Sequence, residues 1–437
     1  MRKRSIFIVI GSLGLLSMVC LAGAAATQIP QVNERLVWRL ESLAAAARRR
    51  INPPQQVVFV PVEVSTPDAT VESAPPPAVT TIVQLTDTPN PAPPQETATP
   101  SPTPTPSATP LPERVVLEGV VHEYQQFNNC GPANLAMTLS FWGWRGDQRD
   151  TRSFLRPNLK VDDKNVNPSE MVEFVERFAG MRAFVRYGGD LDLLRRLVAA
   201  GFPVLIEAGH HPPDDWWMGH YLVVSGYDDQ QQKLIVQDSL VSPDLSMGYA
   251  DLAEGWWRDF NYVLIVIAPP ERSAEALELL GPFADPQQSF QIAALKASQE
   301  IPELTGRAQF FAWFNLGSSR VGLGDYSGAA EAYDQAFAVY PTLPEAMRPY
   351  RLMWYVAGPY EAYYYTGRYE DVVQLANTTF AWVGQPVLEE SYYWRGMANL
   401  ALGKQSLAIA DFRKAVGLNP NYAPPRDELL RLGEALP

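Results

Sequence analysis

The chain has 437 residues, which is enough for two folded units and an additional tail. It carries 35 Lys and Arg residues against 48 Asp and Glu residues, a formal net charge of −13. This acidic balance argues against nucleic acids and anionic membrane surfaces as partners.

The first 27 residues have the pattern of an export signal. Arg2, Lys3 and Arg4 precede an apolar run that extends from Ser5 to about Ala26 and ends in small residues. The run of about 21 residues is also long enough to span a bilayer if it is not cleaved. Basic residues before such a run stay inside, so everything after it is expected outside. We therefore expect an extracellular protein, either secreted or anchored to the membrane through residues 5–26.

Two segments separate this signal from the first folded domain. Residues 28–52 contain an amphipathic stretch that ends in three arginines, and we interpret it as a juxtamembrane segment. Residues 53–112 hold 17 of the 39 prolines and no Lys or Arg, with a Thr-Pro and Ser-Pro run over 99–110. Such a composition predicts a disordered, extended Pro/Thr-rich stalk.

Cys130 is the most informative residue of the next segment. The other cysteine, Cys20, lies in the export signal, so the thiol of Cys130 has no disulfide partner in the mature chain. Gly131 and Pro132 follow it and open an apolar helix, and Pro is preferred at the first helical position. The free N–H groups of a helix N-terminus stabilise a thiolate. A lone cysteine more often packs as a small hydrophobe, but this context favours a nucleophile.

A base and its orienting carboxylate are predicted from one hairpin. His220 begins an apolar β run that reaches a polar turn near Asp229, and a second β run ends at Asp238. Antiparallel pairing around that turn places position 220 opposite about 238 to 241, within about 5 Å. Asp238 can therefore fix the tautomer of His220, as the third member of a catalytic triad does.

A metal site is the competing interpretation of the histidines. Five residues could take part, but their spacing lacks the regularity of structural zinc sites. We therefore expect no metal and no cofactor. The five residues are His210, His211, Asp214, Asp215 and His220.

Around these residues the chain resembles the bacteriocin-processing cysteine peptidases and their free-standing relatives, in the papain-like superfamily. The resemblance covers residues 113–268 and implies an α+β papain-like domain. It implies that Cys130 is the nucleophile, His220 the general base and acid, and Asp238 the orienting residue. A glutamine shortly before the cysteine would complete the oxyanion hole, and Gln125 is preferred over Gln126.

The periodicity between these motifs predicts the remaining elements of the domain. Helices are expected over 169–180 and 191–200, and strands over 181–187, 203–207 and 262–267.

The C-terminal third resembles tetratricopeptide repeat scaffolds, which implies an all-α solenoid over 301–437 after a helical connector over 269–300. Two copies keep the repeat pattern over 313–341 and 392–420, and a degenerate copy surrounds 367–369. Two roles are open for the repeats: binding a protein or peptide in a groove, or packing against the preceding domain. The Pro-marked junction at 268–272 predicts that residues 113–268 fold and cleave peptides on their own.

The combined expectation is an exported cysteine peptidase that acts on a peptide or protein substrate, with a repeat domain. Two alternatives use the same residues. One is an acyltransferase or transglutaminase-like enzyme, and the other is a module that holds peptides without turnover.

Overall fold

The structure, a computed structural model, describes residues 30–51, 55, 57–62, 110–158, 165–211, 216–383 and 387–437. Residues 1–61 and 111–437 belong to one compact unit, and residues 62–110 form a second unit, of which only Val62 and Pro110 are described. The predicted export signal and most of the predicted stalk therefore lie outside the described residues. Among the described helices, none is long and apolar enough to cross a membrane.

One antiparallel sheet organises the first domain. Its strands are β1 (Arg114–Val116), β2 (Arg182–Arg186), β3 (Val204–His210), β4 (Met218–Asp228), β5 (Lys233–Gln237), β6 (Leu245–Gly248) and β7 (Leu264–Ala268). The strand order is β2-β7-β3-β4-β5-β6, and β1 pairs with the end of β4. In the predicted hairpin of β4 and β5, Asp228 lies opposite Lys233.

Helices cover both faces of this sheet. The helices of this part of the chain are α1 (Pro30–Ile51), α2 (Cys130–Phe141), α3 (Gln148–Leu155), α4 (Pro168–Phe174) and α5 (Leu191–Ala199), of which α2 and α5 lie on opposite faces of the sheet. Because successive strand residues point to opposite faces, Ile206 clusters with Leu194 of α5 while Leu205 clusters with Leu135 of α2. The predicted α+β domain is confirmed.

The rest of the chain is helical, as predicted. The helices are α6 (Ser273–Leu280), α7 (Pro286–Glu300), α8 (Gly306–Gly322), α9 (Tyr326–Val339), α10 (Gly358–Tyr365), α11 (Tyr369–Trp382), α12 (Glu389–Ala401), α13 (Gln405–Leu418) and α14 (Ala423–Arg431). Three pairs, α8/α9, α10/α11 and α12/α13, are each joined by a turn at Gly324, Gly367 or Gly403. All three glycines have φ between 74° and 77°, which a residue with a Cβ adopts only under strain.

The α+β domain and the first repeat share one hydrophobic core. Trp217 is fully buried, and its ring lies 5.4 Å from that of Phe311 in α8. Its Nε1–H donates to a carboxylate oxygen of Asp259 at 2.7 Å, and Arg307 of α8 donates to the same oxygen at 2.6 Å. The core therefore continues across the predicted junction at 268–272.

A short N-terminal segment also belongs to this folded body. Phe59 is only 1% exposed, and its ring lies 4.9 Å from that of Phe337 in α9. Trp382 of α11 donates its Nε1–H to the Val57 carbonyl at 2.6 Å. These contacts lie inside residues 53–112, the range expected to be a stalk. Residues 57–60 are all apolar, and burying their side chains is favourable. The Pro/Thr-rich part of the range has few such side chains to bury.

Candidate active site

Cys130 is the first residue of α2, and buried Asn129 occupies the N-cap position. Pro132 takes the third helical position rather than the first, where its missing N–H still costs no intrahelical bond. Cys130 is partly exposed, whereas the rest of the first turn is buried. The thiol therefore lies at a helix N-terminus, where the helix dipole favours its anionic form.

The turn before Cys130 is held by hydrogen bonds to α3. Gln148 Oε1 accepts from the Asn129 side-chain amide at 2.9 Å, and Gln148 Nε2 donates to the Tyr124 backbone carbonyl at 2.9 Å. Arg152 donates to the side-chain oxygen of Gln126 at 2.6 Å. Gln126 is thus engaged with α3, while the neighbouring Gln125 is directed elsewhere.

His220 and Asp238 meet as the hairpin register predicts. His220 Nε2 lies 2.8 Å from Asp238 Oδ1, and both side chains are 6% exposed. The same oxygen accepts the backbone N–H groups of Leu240 at 2.8 Å and Val241 at 3.2 Å. Burial alone would raise the pKa of Asp238, but the His220 charge and these hydrogen bonds lower it.

The electrostatics of the site favour a thiolate–imidazolium pair. Burial opposes the charge on His220, yet Asp238 and the hydrogen bond with Cys130 raise its pKa to about 10. Burial also opposes the Cys130 thiolate, but the hydrogen bond and charge of His220, with backbone hydrogen bonds from Tyr221 and Gly131, lower the pKa of the thiol. Each partner therefore stabilises the charged form of the other.

A second hydrogen-bond chain fixes Gln125 beside this pair. Ser239 Oγ donates to Gln125 Oε1 at 2.8 Å and accepts from Asn134 Nδ2 at 2.9 Å, and Asn134 Nδ2 also bonds the Cys130 carbonyl at 2.9 Å. The backbone N–H of Gln125 donates to the Ser239 carbonyl at 2.9 Å. Within the described residues no hydrogen bond uses the Gln125 side-chain nitrogen, so this N–H₂ group is available as a donor.

The sequence reasoning missed a buried carboxyl group next to the site. Glu207 lies directly opposite Tyr221 in the pairing of β3 with β4, and it is 3% exposed. Burial raises its pKa well above the usual range, and the charge of Cys130 adds to this effect. Its Oε1 has no hydrogen-bond partner among the described residues. The sequence signal that could have identified Glu207 is a single acidic residue within an otherwise apolar predicted strand.

The remaining histidines lie apart from the hydrogen-bond chain. The ring of His210 lies 5.5 Å from that of His220, and burial lowers the pKa of His210 to about 4. His211 lies near the Ala346 carbonyl, at 3.4 Å. In the described ranges no group of three or more His, Cys, Asp or Glu residues could hold a metal ion; residues 214 and 215 of the competing metal interpretation lie outside those ranges.

Comparisons with known proteins agree with this architecture. A model of the Peptidase_C39 like family matches residues 118–262, and two tetratricopeptide repeat models match residues 311–342 and 389–422. The chain therefore carries a C39-like peptidase domain followed by tetratricopeptide repeats, and the resemblance stated from the sequence is confirmed.

Eight chains of solved structures also match. One of them, a crystal structure described as a C39-like peptidase from Bacillus anthracis, is 18% identical with a TM-score of 0.30, and the match covers 36% of this chain and 97% of that chain. A comparison with curated proteins gives no match.

Proposed function

We propose that this protein is an exported cysteine peptidase that hydrolyses peptide bonds with Cys130 as nucleophile. The observation that carries the proposal is the hydrogen bond between Asp238 and His220, together with the lowering of the Cys130 pKa by His220 at a helix N-terminus. Gln125 supplies a free amide donor at the same place. A thiolate, a base, an orienting carboxylate and an oxyanion donor are the groups that acyl transfer requires.

In the proposed reaction, the Cys130 thiolate attacks the carbonyl carbon of a peptide bond. The negative charge that develops on the carbonyl oxygen is stabilised by the Cys130 backbone N–H and the Gln125 side-chain N–H. The His220 imidazolium then gives its proton to the leaving amine, and a thioester on Cys130 remains. His220, now neutral, takes a proton from water, which attacks the thioester and releases the acid. Expulsion of the thiolate restores the ion pair.

Asp238 orients His220 throughout and keeps its Nε2–H fixed. The carboxylate stays ionised, since its pKa is lowered by His220 and the two backbone N–H groups. It therefore stabilises the imidazolium by charge and position, without accepting a proton.

A peptide library incubated with the full chain tests this proposal. We expect cleavage products with new free carboxylates, and we expect Cys130→Ala to abolish them while leaving the melting temperature nearly unchanged. The same incubation with an added primary amine distinguishes hydrolysis from acyltransferase activity. An acyltransferase would form more of the new amide than of the free acid. If the protein binds peptides but forms no product, the result supports the alternative of a module that holds peptides without turnover.

The export part of the proposal depends on the sequence pattern of residues 1–27 alone. Fractionation of cells that express the full chain with a C-terminal tag tests it. A tag accessible to external protease supports export, and a tag protected in intact cells contradicts it.

A further inference from the structure

The N-terminal segment, of which residues 55 and 57–61 are described, lies against the repeats. Backbone and side-chain hydrogen bonds hold its first residues: the Gln55 N–H donates to the Ala381 carbonyl at 2.9 Å, and Trp382 donates to the Val57 carbonyl at 2.6 Å. Both repeat residues belong to α11. The segment therefore contacts the repeats through its backbone, independently of side-chain identity at these positions.

Phe59 is the anchor of the segment. Its ring lies 4.9 Å from Phe337 of α9 with the planes at 78°, and 6.1 Å from Tyr363 of α10. The next residue, Val60, is 62% exposed. Val58 on the other side is half-buried against the same cluster, so Phe59 is the one fully buried side chain of the described part of the segment. A buried aromatic anchor of this kind contributes much of the affinity of a binding contact.

The groove continues beside the docked segment. A cavity of about 410 Å³ adjoins Val57 and Val58, and its other walls come from α11 and from the turn between α12 and α13. The segment thus lies along an open groove of the repeat domain and does not pass through the interior of the protein.

The segment precedes residues 62–110 in the chain, whereas the repeats that it contacts follow them. Residues up to 61 and residues from 111 onward belong to the same compact unit. The N-terminal segment is thus part of the folded body, although it is far in sequence from the repeats.

We propose that the repeats are an intramolecular receptor for residues 55–61, with Phe59 as the anchor. They hold the N-terminal part of the chain on the folded body even when the covalent connection through residues 62–110 is cut. This inference does not depend on catalysis by Cys130.

The test uses the full chain in detergent, with Cys130→Ala to exclude self-cleavage. A recognition sequence for a site-specific protease replaces residues 83–89, and an N-terminal tag immobilises the protein. After cutting, we measure how fast the C-terminal fragment, which contains residues 90–437, leaves the support. We expect it to remain bound in the parent protein. Phe59→Ala should accelerate release by at least about a hundredfold, the lower end of the effect of truncating a buried aromatic side chain.

The neighbouring substitution Val60→Ala is the matched control and should leave the release rate unchanged. Helix α1 also contacts the peptidase domain, where Arg35 donates to the Val241 carbonyl at 3.2 Å. This contact is common to all the variants, so it does not alter the ratio between them. Release of the parent protein as fast as that of Phe59→Ala overturns the proposal, and so does equal release of the two variants.

A peptide arm decides the question if Phe59→Ala fails to fold. A synthetic peptide of residues 55–62, added in excess to the cut parent protein, should occupy the vacated groove and speed net release. The same peptide with Phe59→Ala should have no effect. Equal effects of the two peptides contradict the proposal.

Discussion

Ser239→Ala should slow peptide hydrolysis without changing the reactivity of the thiol. The substitution removes the hydroxyl that donates to Gln125 Oε1 at 2.8 Å and accepts from Asn134 at 2.9 Å. Asn134 keeps its bond to the Cys130 carbonyl, so the main loss is the fixed orientation of the Gln125 amide. Ser239 is thus a positioning residue that acts through Gln125.

The magnitude follows from what an oxyanion donor contributes. Removing such a donor costs roughly 100- to 1,000-fold in kcat, so we expect a loss in that range for Gln125→Ala. Ser239→Ala leaves the amide present and anchored through its backbone N–H to the Ser239 carbonyl. A loss of about tenfold, or about 1.4 kcal/mol, is therefore expected.

Two measurements distinguish this role from a structural one. Alkylation of Cys130 by iodoacetamide depends on the His220 ion pair and should stay at the parent rate in Ser239→Ala, while kcat/KM for a peptide falls. The double variant Ser239→Ala with Gln125→Ala should be no slower than Gln125→Ala alone. Ser153→Ala, which removes an exposed hydroxyl bonded only within α3, is the matched control.

Additive losses in the double variant would contradict this prediction, because they would show that Ser239 acts independently of Gln125. A parallel fall in alkylation rate would refute it as well, since the substitution would then have disturbed the nucleophile itself.

Three further predictions concern the ionisable groups and the shared core. Peptidase activity should rise as pH increases through the lowered pKa of Cys130 and fall as pH passes about 10, where His220 loses its proton. Asp238→Asn should move this alkaline fall of kcat/KM to lower pH. If the fall stays at the same pH, it is caused by the titration of another group. Glu207 has a raised pKa in the folded protein, so its contribution to stability is complete below its unfolded pKa and is lost as pH rises. Glu207→Gln should therefore unfold at higher denaturant concentration than the parent at pH 8, with the difference vanishing near pH 4; a difference that does not depend on pH would contradict this. A piece of the chain covering 113–268 should bind hydrophobic dye and lose its near-ultraviolet dichroism, because Trp217 and Asp259 lose their partners in α8; a tightly folded, active piece would show that the shared core is dispensable.

The proximity of His220 and Asp238 was predictable from the sequence because the information for it is local. One hairpin carries His220 and Asp238, and counting outward from its turn gave a register that brings the two together. Likewise, a glycine and proline after Cys130 indicated the helix start. The repeats were predictable since each copy has its own turn glycine and apolar positions, and the two regular copies coincide with the two matched regions.

Contacts between distant segments were not predictable in this way. The bond from Ser239 to Gln125 joins residues that are 114 positions apart, and no periodicity relates them. Phe59 lies near the start of a Pro-rich range. The composition of that whole range predicts a disordered stalk, and the short apolar run around Phe59 is too small to change this prediction. The core shared by the two domains was not predictable for a similar reason. In the sequence, Trp217 and Phe311 each have the pattern of an ordinary core residue of their own domain, although their rings are in contact.

The central claim, acyl transfer through Cys130, is tested most directly by trapping the thioester. The full chain is mixed with a peptide ester, quenched in acid within milliseconds to seconds, and analysed by intact-mass and fragment mass spectrometry. We expect a transient mass increase equal to the acyl group, located on Cys130, which accumulates before free acid appears and is absent in Cys130→Ala. Product formation without any adduct on Cys130, or turnover retained in Cys130→Ala, would contradict it.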